Sequence, residues 1–355
     1  MRKTFLPVAI FALAFVMHAR PGFTSYDVTG GNAVIGAPDD TTDGIRFLDA
    51  VDRTATVTVD KAVGSIAATP TMSVSTATNN MGTLTLQGNT TLSADIGETG
   101  FSLLAVNVGA NGTSSTVFGD IYAVSTNITG TGNVTVNGGV NGKLAYDGNG
   151  LVILADNQII SDAITNDTGT NNQGTLTLAG RGTVFGQVGL AGEALLAINA
   201  GVAGSSSVFF SDIYTQDMNI VGTGLVVLNG NLNGALNFQD DGALTLTGNT
   251  TISGGVSNDT LNDGTGTLTL SGNGAVTGQV GTLSAALLAV NAGEDGTSAT
   301  FLSDIYAHTM NITGTGVVVL NGDVNGNLIY KDNGIAILAN NTRVDGTVTN
   351  EAGAN

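Results

Sequence analysis

The chain carries one five-residue phrase, Gly-Thr-Leu-Thr-Leu, three times at a constant interval. The phrase begins at Gly82, Gly174 and Gly266, so each copy starts 92 residues after the previous one (174 − 82 = 92 and 266 − 174 = 92). The phrase Asp-Ile-Tyr keeps the same interval and begins at Asp120, Asp212 and Asp304. A constant period without insertions is typical of a stacked structure in which every residue has a fixed place.

Each 92-residue unit contains short strand-like segments separated by turns rich in Gly, Asn, Asp and Thr. In the first unit five such segments centre on Leu84, Leu103, Val117, Val134 and Leu151. Leucine and threonine alternate in the segment 83–86, which places the leucines on one face of a strand and the threonines on the other. The run 317–320 (VVVL) does not alternate, so we expect it to be covered on both faces or to lie at a corner.

These segments predict an all-β fold, specifically a right-handed parallel β-helix (β-solenoid) built from three 92-residue repeats. Five strands per unit correspond to rungs that stack at ~4.8 Å, and three units give a rod of about fifteen rungs. An antiparallel β-sandwich array is compatible with the same signals and is the alternative.

Composition and charge exclude several classes of protein. Among 355 residues there are 52 glycines and no cysteine or tryptophan, and charged residues make up only 11%, which disfavours helical and disordered chains. Ten basic residues against 28 acidic ones give a net charge of −18, which disfavours nucleic acid as a partner. The absence of cysteine excludes disulfides and fits a bacterial exported protein.

The N-terminus has the three parts of a secretory signal peptide. Arg2 and Lys3 precede the apolar stretch 5–17, and small residues follow near Ala19. An N-terminal membrane anchor is the alternative, although the stretch is shorter than the ~20 residues that a spanning helix needs. We therefore predict export across the inner membrane and the following organisation: signal peptide 1–23, divergent N-terminal cap 24–81, and repeats 82–173, 174–265 and 266–355, the last without a cap.

Several phrases resemble the passenger regions of rickettsial-type outer-membrane autotransporter adhesins, the surface cell antigen family. They are GTLTLxGN, LLAVNAG, DIYA, NITGTGxVxLNGxVNG and ITNDTGT, and they lie between residues 75 and 355. The resemblance implies a β-helical passenger that a C-terminal β-barrel translocator carries to the cell surface. This sequence lacks the ~10-residue alternating segments of such a barrel, so we expect the translocator not to be encoded in this chain.

The residues that catalysis and metal binding require are nearly absent. His308 is the only histidine outside the predicted signal peptide, and the other repeats have Val124 and Gln216 at its position. Asp120, Asp212 and Asp304 recur once per unit, which favours a structural role over a unique catalytic centre. Two groups of carboxylates could ligate calcium or could lie in solvated turns. They are Asp39, Asp40 and Asp43, and Asp240 with Asp241. We predict no catalytic residues, no metal and no cofactor.

Two sets of recurring residues are candidates for other roles. Tyr122, Tyr214 and Tyr306 share one repeat position and either line an exposed aromatic stripe that binds a ligand or pack the rod. The asparagines that follow two of the strands are expected to adopt left-handed turns or to stack in side-chain ladders; they are Asn107, Asn199 and Asn291, and Asn137, Asn229 and Asn321.

The leading functional hypothesis is an exported cell-surface passenger that acts as an adhesin toward a host surface protein or matrix through an extended side of the rod. A translocated rod without an anchor would instead be periplasmic or extracellular. Two alternatives belong to other classes. One is an architectural surface-layer or spacer protein without a specific ligand, and the other is a glycan-active β-helix enzyme.

Overall fold

A computed structural model describes residues 25–64, 72–260 and 262–351, and these residues form strands and turns only. No helix among them has the length and apolarity needed to cross a membrane. The predicted signal peptide, residues 1–23, lies outside the described residues. The strands, in chain order, are β1 Tyr26–Val28, β2 Ala33–Ile35, β3 Ile45–Phe47, β4 Thr54–Val57, β5 Lys61–Val63, β6 Met72–Thr76, β7 Thr83–Leu86, β8 Thr90–Leu92, β9 Asp95–Ile96, β10 Leu103–Val108, β11 Ser114–Val117, β12 Ile121–Ile128, β13 Asn133–Val136, β14 Val140–Tyr146, β15 Leu151–Leu154, β16 Gln158–Ile160, β17 Ile164–Asn166, β18 Thr175–Leu178, β19 Gly182–Val184, β20 Leu195–Ala200, β21 Ser206–Phe209, β22 Ile213–Ile220, β23 Leu225–Leu228, β24 Leu232–Phe238, β25 Ala243–Leu246, β26 Thr251–Ile252, β27 Val256–Asn258, β28 Thr267–Leu270, β29 Ala275–Val276, β30 Leu287–Ala292, β31 Ser298–Phe301, β32 Ile305–Ile312, β33 Val317–Leu320, β34 Val324–Tyr330, β35 Ile335–Leu338 and β36 Val348–Asn350.

These strands pair in parallel, each with a strand that lies one turn of the coil away. Residue 134 of β13, for example, pairs with Val152 of β15, which pairs with Leu176 of β18. About 16 such turns stack into a parallel β-helix, so the predicted fold class is confirmed and the antiparallel sandwich is wrong. At ~4.8 Å per turn the rod is on the order of 75 Å long.

The coil has three sides, and each side is a ladder of stacked strands. We call the ladders A, B and C, and we identify each by residues that stack on one another in successive turns. Ladder A contains Ile121, Val140 and Ile160. Ladder B contains Leu84, Val106, Thr126, Leu144 and Ile164. Ladder C contains Val134, Val152, Leu176 and Ile198.

The 92-residue sequence repeat does not correspond to a whole number of turns. Four turns lead along ladder B from Leu84 to Ile164, and the next strand, which carries Leu176, lies on ladder C. One repeat is therefore four and one third turns, and three repeats make thirteen (3 × 4⅓ = 13). The third Gly-Thr-Leu-Thr-Leu strand, β28, accordingly pairs with β25 and β30 on ladder A.

Each repeat contains more strands than the sequence indicated. Eleven strands, β7 to β17, fall between residues 82 and 173, where five were predicted. The additional ones are short: Asp95–Ile96 has two residues and Thr90–Leu92 has three. Such segments are too short to show a period of two, so the alternation that marks longer strands does not reveal them.

The core is a column of apolar side chains that point inward from all three ladders. Leu84 and Leu86 are fully buried, whereas Thr83 and Thr85 between them are half-buried on the outside. The run 317–320 follows the same rule, because Val318 and Leu320 are buried and the valines at 317 and 319 are not. The expectation that this run is covered on both faces is wrong; β-branched residues simply occupy the outer positions as well.

The glycine of the repeated phrase is required by both backbone and packing. Gly266 has φ +83°, and a Cβ there would lie 2.5 Å from Cγ of Phe238. Gly82 has φ +86° and stands against the ring of Phe47 in the same way. A buried ring one turn below therefore occupies the space that any side chain at this glycine would need.

Asparagine side chains connect one turn of the coil to the next. Asn127 donates from Nδ2 to Oδ1 of Asn107 at 2.8 Å, and Asn107 donates to Thr85 at 3.1 Å. The equivalent Asn–Asn bonds, 219 to 199 and 311 to 291, are also present, so the predicted ladder is confirmed for this set. The set at 137, 229 and 321 has no left-handed residue; positive φ among non-glycine residues occurs instead at Asn80, Asn157, Asn172 and Asn341 among the described residues.

The lead-in to the first repeat belongs to the same coil. Strands β1, β3 and β6 stack in succession and continue through β9 to β12 on ladder A. Arg46 forms an ion pair with Asp27 across two of these turns at 2.8 Å, and Arg53 pairs with Asp49 at 3.1 Å. The described part of residues 24–81 is thus continuous with the repeats in its hydrogen bonding.

Candidate functional site

The three candidate tyrosines lie at the same local position, immediately after a core isoleucine. Ile121, Ile213 and Ile305 point inward and are fully buried, so the following tyrosine points outward and is half-buried in each copy. In the first copy burial and the nearby Asp120 carboxylate raise the pKa of the Tyr122 hydroxyl. The tyrosines are therefore surface residues that partly pack on the wall of the rod.

The three tyrosines lie on three different sides of the coil, so they do not form the single stripe that was one of the two alternatives for them. Tyr122 pairs with Asn141 on ladder A, Tyr214 with Asn233 on ladder B, and Tyr306 with Asn325 on ladder C. The reason is the extra third of a turn in each repeat, which moves every equivalent residue to the next side of the coil. At ~4.8 Å per turn, successive tyrosines are also displaced by about 21 Å along the rod.

The aspartates of the same motif bind the backbone of the next turn. Asp120 Oδ1 accepts a hydrogen bond from the Gly139 amide at 2.6 Å, and Asp212 Oδ1 accepts one from the Asn231 amide at 2.8 Å. In the third copy Asp304 binds the amide of residue 323 at 2.8 Å. These contacts support the structural role that the sequence predicted, because each carboxylate satisfies a backbone donor at a corner.

The carboxylates considered as calcium ligands also bind local backbone groups. Asp39 accepts from the Gly36 amide at 2.6 Å, and Asp40 accepts from the amide of Thr42 at 2.9 Å. Asp241 accepts from the Gly266 amide at 3.1 Å. Over residues 25–64, 72–260 and 262–351, no group of three or more His, Asp and Glu side chains has the proximity that a metal ion requires.

An open groove of about 520 Å³ lies beside the third of these tyrosines, and we call it the Tyr306 groove. Its walls come from β32, from β34 and from the protruding turn 281–286, and two carboxylates complete it. The lining residues used below are Asp263, Leu283, Tyr306, His308, Asn325 and Asp345.

A β-bulge and a glycine shape this groove. The pairing of β32 with β34 shifts register between Tyr306 and Thr309, which bends the wall and changes the direction of the side chains there. Gly326 on β34 has φ +150°, and a Cβ at this position would overlap the Ala307 carbonyl oxygen. The two strands therefore approach each other closely between residues that line the groove.

The two carboxylates of the groove differ in their partners. His308 Nε2 lies 3.0 Å from Oδ2 of Asp263, and Oδ1 of that aspartate accepts a hydrogen bond from the Ala286 amide at 3.0 Å. The His308 contact and these amide bonds hold the pKa of the Asp263 carboxyl below its usual range. Asp345 has a weaker partner, with Arg343 at 3.9 Å. The groove therefore presents two carboxylates and one imidazole.

Most of these lining residues were not predicted from the sequence. A comparison of the three copies of the repeat could have pointed to them, because it separates constant positions from variable ones. Tyrosine and asparagine are constant at the positions of Tyr306 and Asn325 in all three copies, whereas other lining positions vary. The His308 position has Val124 and Gln216, the Asn327 position has Lys143 and Ala235, and the Asp345 position has Ser161 and Ser253. Comparison of the three copies thus separates a common frame from copy-specific side chains.

The fold is a parallel β-solenoid, and its Tyr306 groove combines residues that are constant in the three copies with residues that vary. In a comparison with known proteins, this chain is 31% identical over 185 residues to Outer membrane protein A of Rickettsia rickettsii. The match covers 50% of this chain and 7% of that relative, so the chain spans a small part of its length. The similarity supports a relation to rickettsial surface antigens. No protein-family model and no solved structure matches the chain.

Proposed function

We propose that this protein is an exported, surface-exposed adhesin of the autotransporter-passenger type that binds a host surface protein or matrix component along the side of its rod. Similarity to an outer membrane protein supports a location at the bacterial surface. In this proposal the N-terminal segment 1–23 directs export, and a β-barrel translocator holds the rod at the outer membrane.

The observation that carries the proposal is the distribution of the repeat around the coil. One paired Tyr and Asn lies on the outside of each of the three sides, and the residues beside this pair differ from copy to copy. A rod built in this way presents related sites to a partner whichever side approaches. The recurrent aspartates accept hydrogen bonds from backbone amides, so their contacts support a structural role for them rather than a catalytic one.

The proposal is tested by measuring the binding of the purified chain to host cells and to immobilised matrix proteins. We expect saturable binding that exceeds that of an unrelated acidic protein with a similar charge. Equal binding by the two proteins would refute the adhesin proposal. A variant with alanine at Tyr122, Tyr214 and Tyr306 tests whether the constant tyrosines contribute to host binding. We expect it to bind more weakly and to keep the circular dichroism spectrum of the wild type.

An architectural role is a second candidate because of one exposed apolar contact. The rings of Phe185 and Phe210 stack on adjacent turns with centroids 5.0 Å apart, and both side chains are about half exposed. A stacked aromatic pair on the outside of a rod favours contact with another rod. The third repeat has Thr277 and a leucine at these positions, so Phe185→Thr with Phe210→Leu is a matched variant. Self-assembly in electron micrographs that this variant abolishes, without host binding, would favour the architectural role.

A further inference from the structure

The Tyr306 groove contains polar groups that the fold does not use. Within the part of the chain that the structure describes, the Tyr306 hydroxyl and the Asn325 side-chain amide form no intramolecular hydrogen bond. An amide offers both donors and acceptors, and a hydroxyl offers one donor and lone pairs. The groove therefore has unpaired donors and acceptors side by side on β32 and β34.

The same groove combines these polar groups with apolar surface. Leu283, at the tip of the protruding turn, is 84% exposed, which is the largest exposure among the large apolar side chains of the described residues. Together with the Tyr306 ring it provides apolar contacts beside the hydrogen-bonding groups. The volume of about 520 Å³ lies within the range of roughly 300–1,000 Å³ that is typical of small-ligand sites.

Charge restricts the class of ligand further. Asp263 and Asp345 line the groove, the whole chain has a net charge of −18, and no lysine or arginine is among the lining residues. Anionic ligands such as sulfated or sialylated glycans are therefore repelled. Carboxylates accept hydrogen bonds strongly from neutral hydroxyl groups, so they suit an uncharged, hydroxyl-rich ligand.

We propose that the Tyr306 groove binds a neutral saccharide, with the Tyr306 ring against an apolar CH face of a sugar and with Asn325, His308 and Asp345 hydrogen-bonded to its hydroxyl groups. This inference deepens the proposed function and depends on it for its biological setting, because it names the class of ligand that one side of the rod recognises. The first two repeats have the tyrosine and the asparagine but not His308 or Asp345, so they bind the same saccharide more weakly or not at all.

The test uses the purified full chain on an array of neutral, sialylated and sulfated glycans, with a Lys/Arg-rich peptide in parallel. We expect signals from neutral glycans, which isothermal titration calorimetry then quantifies with the strongest glycan. Tyr306→Ala is expected to weaken binding about tenfold or more, whereas Phe118→Ala, which removes an exposed aromatic ring outside the groove, leaves it within about twofold.

A second variant keeps the test independent of folding defects. His308→Gln with Asp345→Ser introduces the residues that the second repeat has at these positions, where the same fold accommodates them. We expect this variant to lose about tenfold in affinity and to keep its melting temperature. Binding to sulfated glycans or to the basic peptide alone, no binding to any neutral glycan, or binding that neither variant changes would each overturn the saccharide proposal. Host-cell binding by a chain that binds no neutral glycan would overturn the saccharide proposal while leaving the adhesin proposal intact.

Discussion

Replacement of Gly266 by alanine tests the packing of the repeated phrase most directly. Gly266 has φ +83°, which costs an L-residue roughly 1–2 kcal/mol. Its new Cβ would lie 2.5 Å from Cγ of the fully buried Phe238 ring, and overpacking of this kind costs typically about 1–3 kcal/mol. We therefore expect Gly266→Ala to destabilise the surrounding turns by roughly 2–5 kcal/mol.

Gly192→Ala is the matched control. Gly192 has φ +86°, but no atom lies within 4 Å of the Cβ position, so only the backbone cost of roughly 1–2 kcal/mol applies. Because turns of a solenoid can open locally, the assay is hydrogen exchange by mass spectrometry over residues 236–270, together with urea unfolding. A loss of stability in Gly266→Ala no larger than that in Gly192→Ala would refute the claim that the Phe238 ring fills the space beside the glycine.

Two further predictions concern polar contacts between turns. Asp212→Ala removes the acceptor for the Asn231 amide one turn away and should lower the free energy of unfolding by about 1 kcal/mol, whereas Asp212→Asn keeps an acceptor and should lower it less. Urea titrations of both variants measure these losses. Equal losses of stability in the two variants would contradict the contact. The ion pair with Arg181 lowers the pKa of Asp156 to about 2, below its ordinary value near 4, so the stability that it contributes is present above pH ~4 and is lost as the pH falls toward 2. The wild type should therefore lose more stability than Asp156→Asn between pH 4 and 2 in thermal melts, and parallel losses in the two proteins would count against this assignment.

The amino-acid sequence by itself determined the class of the fold and its inside and outside. A constant 92-residue period with alternating Leu and Thr indicates an all-β structure of repeated units, and burial of Leu84 and Leu86 follows that alternation. The recurrence of Asp120, Asp212 and Asp304 correctly indicated structural aspartates, because a residue that each repeat needs is needed by the backbone.

Only the tertiary structure decided on which side of the coil each copy of the repeat begins. Within the repeats, turns vary from 18 residues, between Asn133 and Leu151, to 25, between Val280 and Ile305, because the loops between the strands differ in length. Their sum over one repeat leaves a third of a turn in excess, which moves each tyrosine to a new side of the coil. The sequence period could not reveal this excess, since it counts residues and not rotation about the axis.

The stacking of turns brought together the residues of the candidate site. Asp263, Tyr306, Asn325 and Asp345 are separated by as many as 82 residues (345 − 263 = 82), yet they line one groove because they lie on neighbouring turns. The constant tyrosine was visible in the sequence as a surface candidate. Its function as one wall of a groove depends on the bulge beside it and on the close approach of Gly326, which are properties of stacked strands and not of any single segment.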